Sequence, residues 1–189
     1  MLCLSRLHEA NDKLQTSMGS TSGSRNVCLT MHQPWASLLV AGVKRVEGRS
    51  WHIEHRGRLW IHAAAKEPNA DEIRAVEDQY RSVYAAEGIL HGVSLPTTYP
   101  TSCLLGCVDV VDCLTQAQFQ AAEEIPLGPK LESRSEFVLL CEAPRQLVLP
   151  FSLSGQHKLW KMDKHTREAA EAGLGPEVAG PSPVLFRPS

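Results

Sequence analysis

The sequence predicts a mixed α+β domain, mainly β, built as a small closed or nearly closed barrel of about six short strands decorated by three or four helices. Three observations lead there. The chain has 189 residues, enough for one ordinary core with tails and too few for two enzyme-sized domains. Short apolar runs of strand length recur between turn residues, while only a few segments carry the helical period of 3.6. No internal repeat is present, and strands and helices do not alternate in the regular way that builds an all-parallel sheet.

Composition narrows the class. Apolar residues make up 43% and charged residues 21%, proportions of a chain that folds. A formal net charge of -2 excludes a globally basic polyanion binder and leaves only a local patch to be found. No window approaches 18 consecutive apolar residues, and Arg6, His8, Glu9 and Asp12 occupy the first turns, so neither a membrane span nor a secretory leader is expected, and no membrane partner. Six cysteines in such a chain are expected as free thiols in a reducing compartment.

The elements follow in order. Residues 1–26 are expected to be a disordered or linker segment, because Ser17 to Ser24 offers almost no apolar group to offset the entropy of ordering. The heptad-like Leu4, Leu7, Asn11 and Leu14 would make only a short, marginal helix. Val27 to Met31 reads as a strand. Pro34 then suits a helix start and Gly42 its left-handed cap, with Trp35, Leu38 and Leu39 on one face. Lys44 to Trp51 and Arg58 to Ala65 read as strands joined by the turn-like His55-Arg56-Gly57.

Asn69 with Glu72 forms a capping box for a helix to about Ala86, whose Ile73, Val76, Tyr80, Val83 and Tyr84 make an apolar stripe facing the core. Gly88 to Ser102 is a long loop of the functional or mobile kind. Cys103 to Cys113 is apolar at both parities, as in a strand covered on both faces. Further strands are expected from Phe137 to about Cys141, and from Val148 to Leu153 and Lys158 to Met162 around a Ser154-Gly155 turn. Gly173, Gly175, Pro176, Gly180, Pro181, Pro183 and Pro188 place the folded domain at 27–172 and a disordered tail at 173–189.

Charge is unevenly distributed. Between Gly42 and Lys66, Lys44, Arg45, Arg49, Arg56, Arg58 and Lys66 stand against Glu47 and Glu54, a net of +4. Glu67 to Glu87 carries a net of -4, and Gly155 to Arg167 a net of +3 through Lys158, Lys161, Lys164 and Arg167 against Asp163. Two basic segments in a near-neutral chain are what a phosphate-tracking groove requires, since affinity for a polyanion comes from local contacts that release counterions. The same residues would also serve as solvated strand edges protected from aggregation. Alternation within the third strand places Leu59, Ile61, Ala63 and Ala65 on the core side and Arg58, Trp60 and His62 opposite. Lys158 and Trp160 pair in the same way. Cations beside an aromatic plane hold unpaired bases, which makes Trp60 and Trp160 candidates for stacking, although tryptophan also belongs in cores.

Metal and nucleotide signatures are missing. Cys103, Cys107 and Cys113 lack paired ligand spacing and read as packing residues, so neither a metal nor another cofactor is expected. No phosphate loop, dinucleotide fingerprint or nucleophile elbow occurs.

Gly42-Val43-Lys44-Arg45-Val46-Glu47-Gly48-Arg49 has the form Gly-x-Lys-x-x-Glu-x-Arg just after a Gln-Pro-Trp helix, and it resembles the ASCH family, whose fold is related to the PUA RNA-binding barrels. The runs Met31 to Val40, Glu47 to Trp51, His55 to Ile61, Leu104 to Asp109 and Leu159 to Asp163 extend the likeness over about Val27 to Asp163. The likeness is to the ASCH domain of a nuclear transcriptional coactivator. That protein's N-terminal zinc-finger pattern has no counterpart in these residues, so an isolated domain or shortened form is expected.

The resemblance implies a PUA-like barrel whose groove, lined at Lys44, Glu47 and Arg49, accepts RNA or DNA with little sequence preference. It implies protein subunits of a transcription cointegrator complex as further partners, in the nucleus and secondarily the cytoplasm. The expected nucleic-acid contacts are Lys44, Arg45, Glu47, Arg49, Arg56, Arg58, Trp60, Lys66, Lys158, Trp160 and Lys161. Lysine supplies a point charge, arginine a planar fork, and Glu47 an acceptor or an orienting partner for those cations. Two other classes stay open: a module that docks protein partners, and an enzyme. Some small ASCH proteins are amidohydrolases using a lysine, a threonine three residues on and a distant glutamate. Here Glu47 stands where that threonine would be, and a carboxylate beside Lys44 raises its pKa rather than freeing its amine. A ribonuclease reading would use His55 or His62 as acid or base. No catalytic residue is expected.

Overall fold

The computed structural model describes residues 25–186; the expected linker and the leucines before it lie outside them. Strand β1 (Val27–Met31) leads into helix α1 (Trp35–Val40), β2 (Val46–Arg49) and β3 (Gly57–Ala63). Helix α2 (Ala70–Ala86) and a long connection then precede β4 (Cys103–Thr115). Two short helices, α3 (Gln116–Ala121) and α4 (Leu127–Glu132), separate β4 from β5 (Phe137–Ser152). The chain ends with β6 (Leu159–Lys161), α5 (Lys164–Ala172) and β7 (Leu174–Glu177).

The strands form one curled half-barrel sheet ordered β2-β5-β4-β3-β1-β6, with β7 added beside β5. Its end strands β2 and β6 are not paired with each other, so the barrel stays open. β1 and β3 run parallel and the other pairs antiparallel. The mixed, mainly β class is therefore as predicted, while the two strands expected at Phe137–Cys141 and Val148–Leu153 are one bent strand. β4 and β5 shift register three times along their length, and such bulges bend a strand without ending it. At the first shift Gly106 comes so close to Arg145 that a Cβ would strike the Arg145 carbonyl.

Local chemistry explains the helices. Asn69 accepts from the backbone of Asp71 and Glu72, and Glu72 returns a bond to the Asn69 N–H, the capping box read from the sequence. Val76, Tyr80, Val83 and Tyr84 are the buried stripe of α2. Thr115 and Gln118 repeat the device on α3. The connection from Gly88 to Ser102 has no regular structure but is held down. Ile89, Val93, Leu95 and Tyr99 pack on the α2 cluster, and Pro100 accepts from the buried Gln33 amide.

Both faces of the sheet are covered. On one, Leu29, Leu59, Ile61, Val108 and Leu139 pack under α1. On the other, Cys28, Trp60, Leu104, Trp160 and Met162 pack with Ala170 of α5. Each large side chain so buried contributes about 1.5–3 kcal/mol. Trp60 is 0% and Trp160 8% exposed, so the face expected to present them is a second core. The tail also differs from expectation: β7 pairs with β5, and Phe186 is buried against Val46, Phe119 and Ile125. Glycine and proline there shape an ordered strap; 187–189 lie outside the described residues.

Candidate nucleic-acid interface

The segment carrying the Lys-x-x-Glu-x-Arg pattern passes between α2, α4 and the C-terminal strap. Arg45 is 4% exposed. Its Nε lies 2.6 Å from the Glu132 carboxylate and its Nη1 2.8 Å from Glu87, while its backbone N–H donates to Glu132 at 2.8 Å. The guanidinium carbon lies over the Tyr84 ring, 4.6 Å from its centre. Burial pushes the Glu132 carboxyl above its ordinary range, against the pull of Arg45 and Lys44. Arg45 keeps its charge because these acceptors outweigh its own burial.

Lys44 is 5% exposed, with Nζ 3.2 Å from Glu47. Burial alone would lower its pKa; Tyr80, Glu47 and Glu132 reverse that and hold it above its usual value. Glu47 also faces Arg49, whose Nη2 stands 2.9 Å away. The approach is at ion-pair distance but misses hydrogen-bond alignment, so Arg49 Nε and Nη2 are buried without a hydrogen-bond partner. The strap closes over this cluster. Val178 donates to the Pro144 carbonyl at 2.8 Å, Arg45 Nη1 reaches Ser182 O at 3.3 Å, and the Phe186 N–H binds Glu142. A cavity of about 230 Å³ remains beneath, between Lys44, Leu39, Val108 and Pro183. Lys44, Arg45 and Glu47 are thus sealed by carboxylates and by the chain itself, which corrects their expected place on an open groove. Arg49 is 23% exposed and shares their carboxylate.

The remaining expected contacts divide. Arg56 binds Asp112 at 2.5 Å and the Ile53 carbonyl at 2.8 Å. Lys66 is exposed and reaches Glu72 at 3.4 Å. Trp60 donates to Arg25 O at 2.9 Å and Trp160 to Thr30 Oγ1 at 3.1 Å. Both indoles are satisfied inside, so neither can stack a base as expected. Arg58, Lys158 and Lys161 have no salt bridge among the described residues. Lys158 and Lys161 are exposed beside and on β6, the last strand of the sheet. Arg58 is half-buried, with a buried Nε that has no partner.

Two features went unread in the sequence. Trp51 lies half-buried beneath Lys158, whose Nζ is 5.8 Å from its ring centre; this is the aromatic neighbour that Lys158 actually has. A cavity of about 580 Å³ opens where the end of β3 meets the loop before β6, with Thr30, His62, Ser102, Ser154 and His157 among its walls. Among the described residues no cluster of His, Cys, Asp or Glu is placed to hold a metal ion, and no helix is long and apolar enough to cross a membrane. The five described cysteines are free and buried, and burial pushes the Cys107 thiol up to about 11.

Comparison with known proteins gives a matching family model and two similar sequences. The sequence model of the ASCH domain matches residues 29–162. Activating signal cointegrator 1 of Mus musculus is 44% identical over 168 residues, 89% of this chain and 28% of that protein. The Homo sapiens protein of the same name is 48% identical over 147 residues, 78% of this chain and 24% of that protein. The chain thus spans about a quarter of the length of these relatives. The crystal structure of ASCH from Zymomonas mobilis overlaps 80% of this chain and 97% of its own, with a TM-score of 0.47 and 11% identity.

Proposed function

The chain belongs to the ASCH domain family, and on that premise we propose that it is the nucleic-acid-binding module of a nuclear transcriptional coactivator. It takes RNA or single- or double-stranded DNA with little sequence preference. The observation that carries this reading is the trio Arg58, Lys158 and Lys161, cations at the β3-β1-β6 end of the sheet that form no salt bridge among the described residues. Lys66 is a further exposed cation, weakly paired with Glu72. Trp51 under Lys158 offers the aromatic surface. Lys44, Arg45, Glu47 and Arg49 set the shape of the domain from inside. A protonated Lys44 paired with Glu47 is a poor nucleophile or base, which weighs against the amidohydrolase route.

A salt titration with labelled single strands and duplexes of RNA and DNA tests the reading. Three phosphate contacts give a log–log slope of about -2 to -3, so a fourfold rise in salt weakens binding roughly 20- to 40-fold. Lys158→Glu with Lys161→Glu removes most of that slope. Absence of binding at low salt overturns the proposal. One observation favours docking of a cointegrator-complex subunit instead: Val148 and Leu149 are 75% and 79% exposed, side by side on β5, and that outcome is the one left if no strand binds.

A further inference from the structure

We propose that the 580 Å³ cavity at the end of β3 is a pocket for one unstacked nucleotide, with the base inside and its phosphate at the rim. This rests on the nucleic-acid reading and adds a site to it. The cavity is built from four separated stretches of chain, one of them β1 through Thr30. Ala64 and Ala65 continue β3, Ser102 precedes β4, and Ser152 to His157 join β5 to β6. Small side chains there leave room for a flat ring. Among the described residues no Asp or Glu lines the walls, so an anionic ligand meets no like charge from them. Two lysines adjoin wall residues in sequence: Lys66 follows Ala65 and Lys158 follows His157.

The inner wall is fixed. His62 Nε2 lies 2.7 Å from the Leu153 carbonyl and must carry the proton. Burial lowers the pKa of this ring, leaving it neutral with Nδ1 as an acceptor. Thr30 Oγ1, which accepts from Trp160, lies 3.5 Å from that nitrogen. Trp160 meets the ring edge-on at 6.0 Å. The imidazole is therefore a held, uncharged surface rather than a mobile acid. Two non-glycine residues at the margin, Ser102 (φ 52°) and Lys158 (φ 59°), keep a left-handed backbone, a local strain that proteins retain mostly at functional sites.

The outer wall is free to bind. The Ser102, Ser152 and Ser154 hydroxyls and the Gln156 amide make no hydrogen bond within the described residues. Hydroxyls rotate to donate or accept, and the amide does both, so these groups satisfy the edge of any base. A pocket of that chemistry discriminates weakly between bases. It therefore suits a module that binds strands with little sequence preference.

The test uses the whole chain, labelled with nitrogen-15, and titrates adenosine, cytidine, guanosine and uridine 5'-monophosphates, with ribose 5-phosphate and inorganic phosphate as separate arms. The four nucleotides are expected to shift the amides of Ala64, Ala65, Ser102 and residues 154–157 saturably, with affinities within about tenfold of one another. Ribose 5-phosphate or phosphate binding as well as the nucleotides would overturn the placement of a base in the cavity. Ala65→Phe and Ser154→Phe, made separately and checked for an unchanged dispersed spectrum, fill the cavity from exposed positions and are expected to abolish these shifts. Strand binding that survives in wild type and both variants, with no nucleotide shifts at the cavity, overturns this inference and leaves the proposed function standing. Nucleotide shifts at the cavity without strand binding sustain the pocket and overturn the proposed function.

Discussion

Glu132 shows how a single buried carboxylate organises its surroundings. It accepts from Arg45 Nε and from the backbone of Arg45 and Val46, and its side chain is 0% exposed. Replacing it with alanine leaves Arg45 Nε and the Arg45 and Val46 N–H groups without their buried acceptor and Glu87 as the remaining carboxylate on Arg45, a loss of about 3–5 kcal/mol. For a domain of this size that lowers Tm by roughly 6–20 °C, measurable by thermal melting. Arg56→Ala removes an ion pair whose partners are 31% and 37% exposed, and about 0–1 kcal/mol is expected there. His62 supplies a pH signature. Its folded pKa lies below its unfolded value of about 6.5, so the unfolded chain binds the proton first as pH falls. The stability it contributes is complete above about pH 6.5 and is lost as pH falls below that toward its folded pKa. A His62→Gln variant, which keeps a donor for Leu153, is expected to close its Tm gap to wild type between pH 7.5 and 5.5. A gap that widens on acidification refutes this.

At the scale of elements, the strap formed by β7 and the residues after it has the clearest consequence. Its Phe186 fills the cluster between α3 and β5, and its backbone caps Arg45 and Glu142. Ending the chain after Glu177 removes a buried phenylalanine, about 1.5–3 kcal/mol, and lifts the cover from Lys44. Lysine-directed footprinting should leave Lys44 unlabelled in the full chain and label it in the shortened one, with Lys161 and Lys164 labelled in both. Sequence reading missed this element for a physical reason. Glycine and proline break helices and weaken strands, but they do not prevent a segment from docking when its apolar residues, here Val184 and Phe186, meet a waiting cluster. Where signals were local, as with the Asn69 and Glu72 cap, they were legible in full.

Across the whole molecule, fold class and most elements up to β4 were legible because strand length and helical period are properties of neighbouring residues; α3, α4 and β7 were not read, and β5 was read as two strands. The interface was much less legible. Net charge along a segment counts Lys44, Arg45 and Arg49 as available, yet Glu87 and Glu132 reach Arg45 from 42 and 87 residues away in sequence, and Glu47 takes both Lys44 and Arg49. Alternation along β3 identifies two faces and is silent on whether both are covered; α5, distant in sequence, decides that Trp60 is core. Lys66 and Lys158 each directly follow a residue that lines the cavity beside β6, whose serines and alanines carry no motif.

The position of β1 between β3 and the edge strand β6 bears on how the molecule is made. β1 pairs with β3 on one side and β6 on the other, and the Trp160 indole reaches Thr30 across 130 residues of chain. During translation that interval takes roughly 7–26 seconds. A ribosome therefore displays β1 half-finished for most of its passage, and a polypeptide released before β6 emerges carries a sticky template for its neighbour on the same polysome rather than a weakened binding domain.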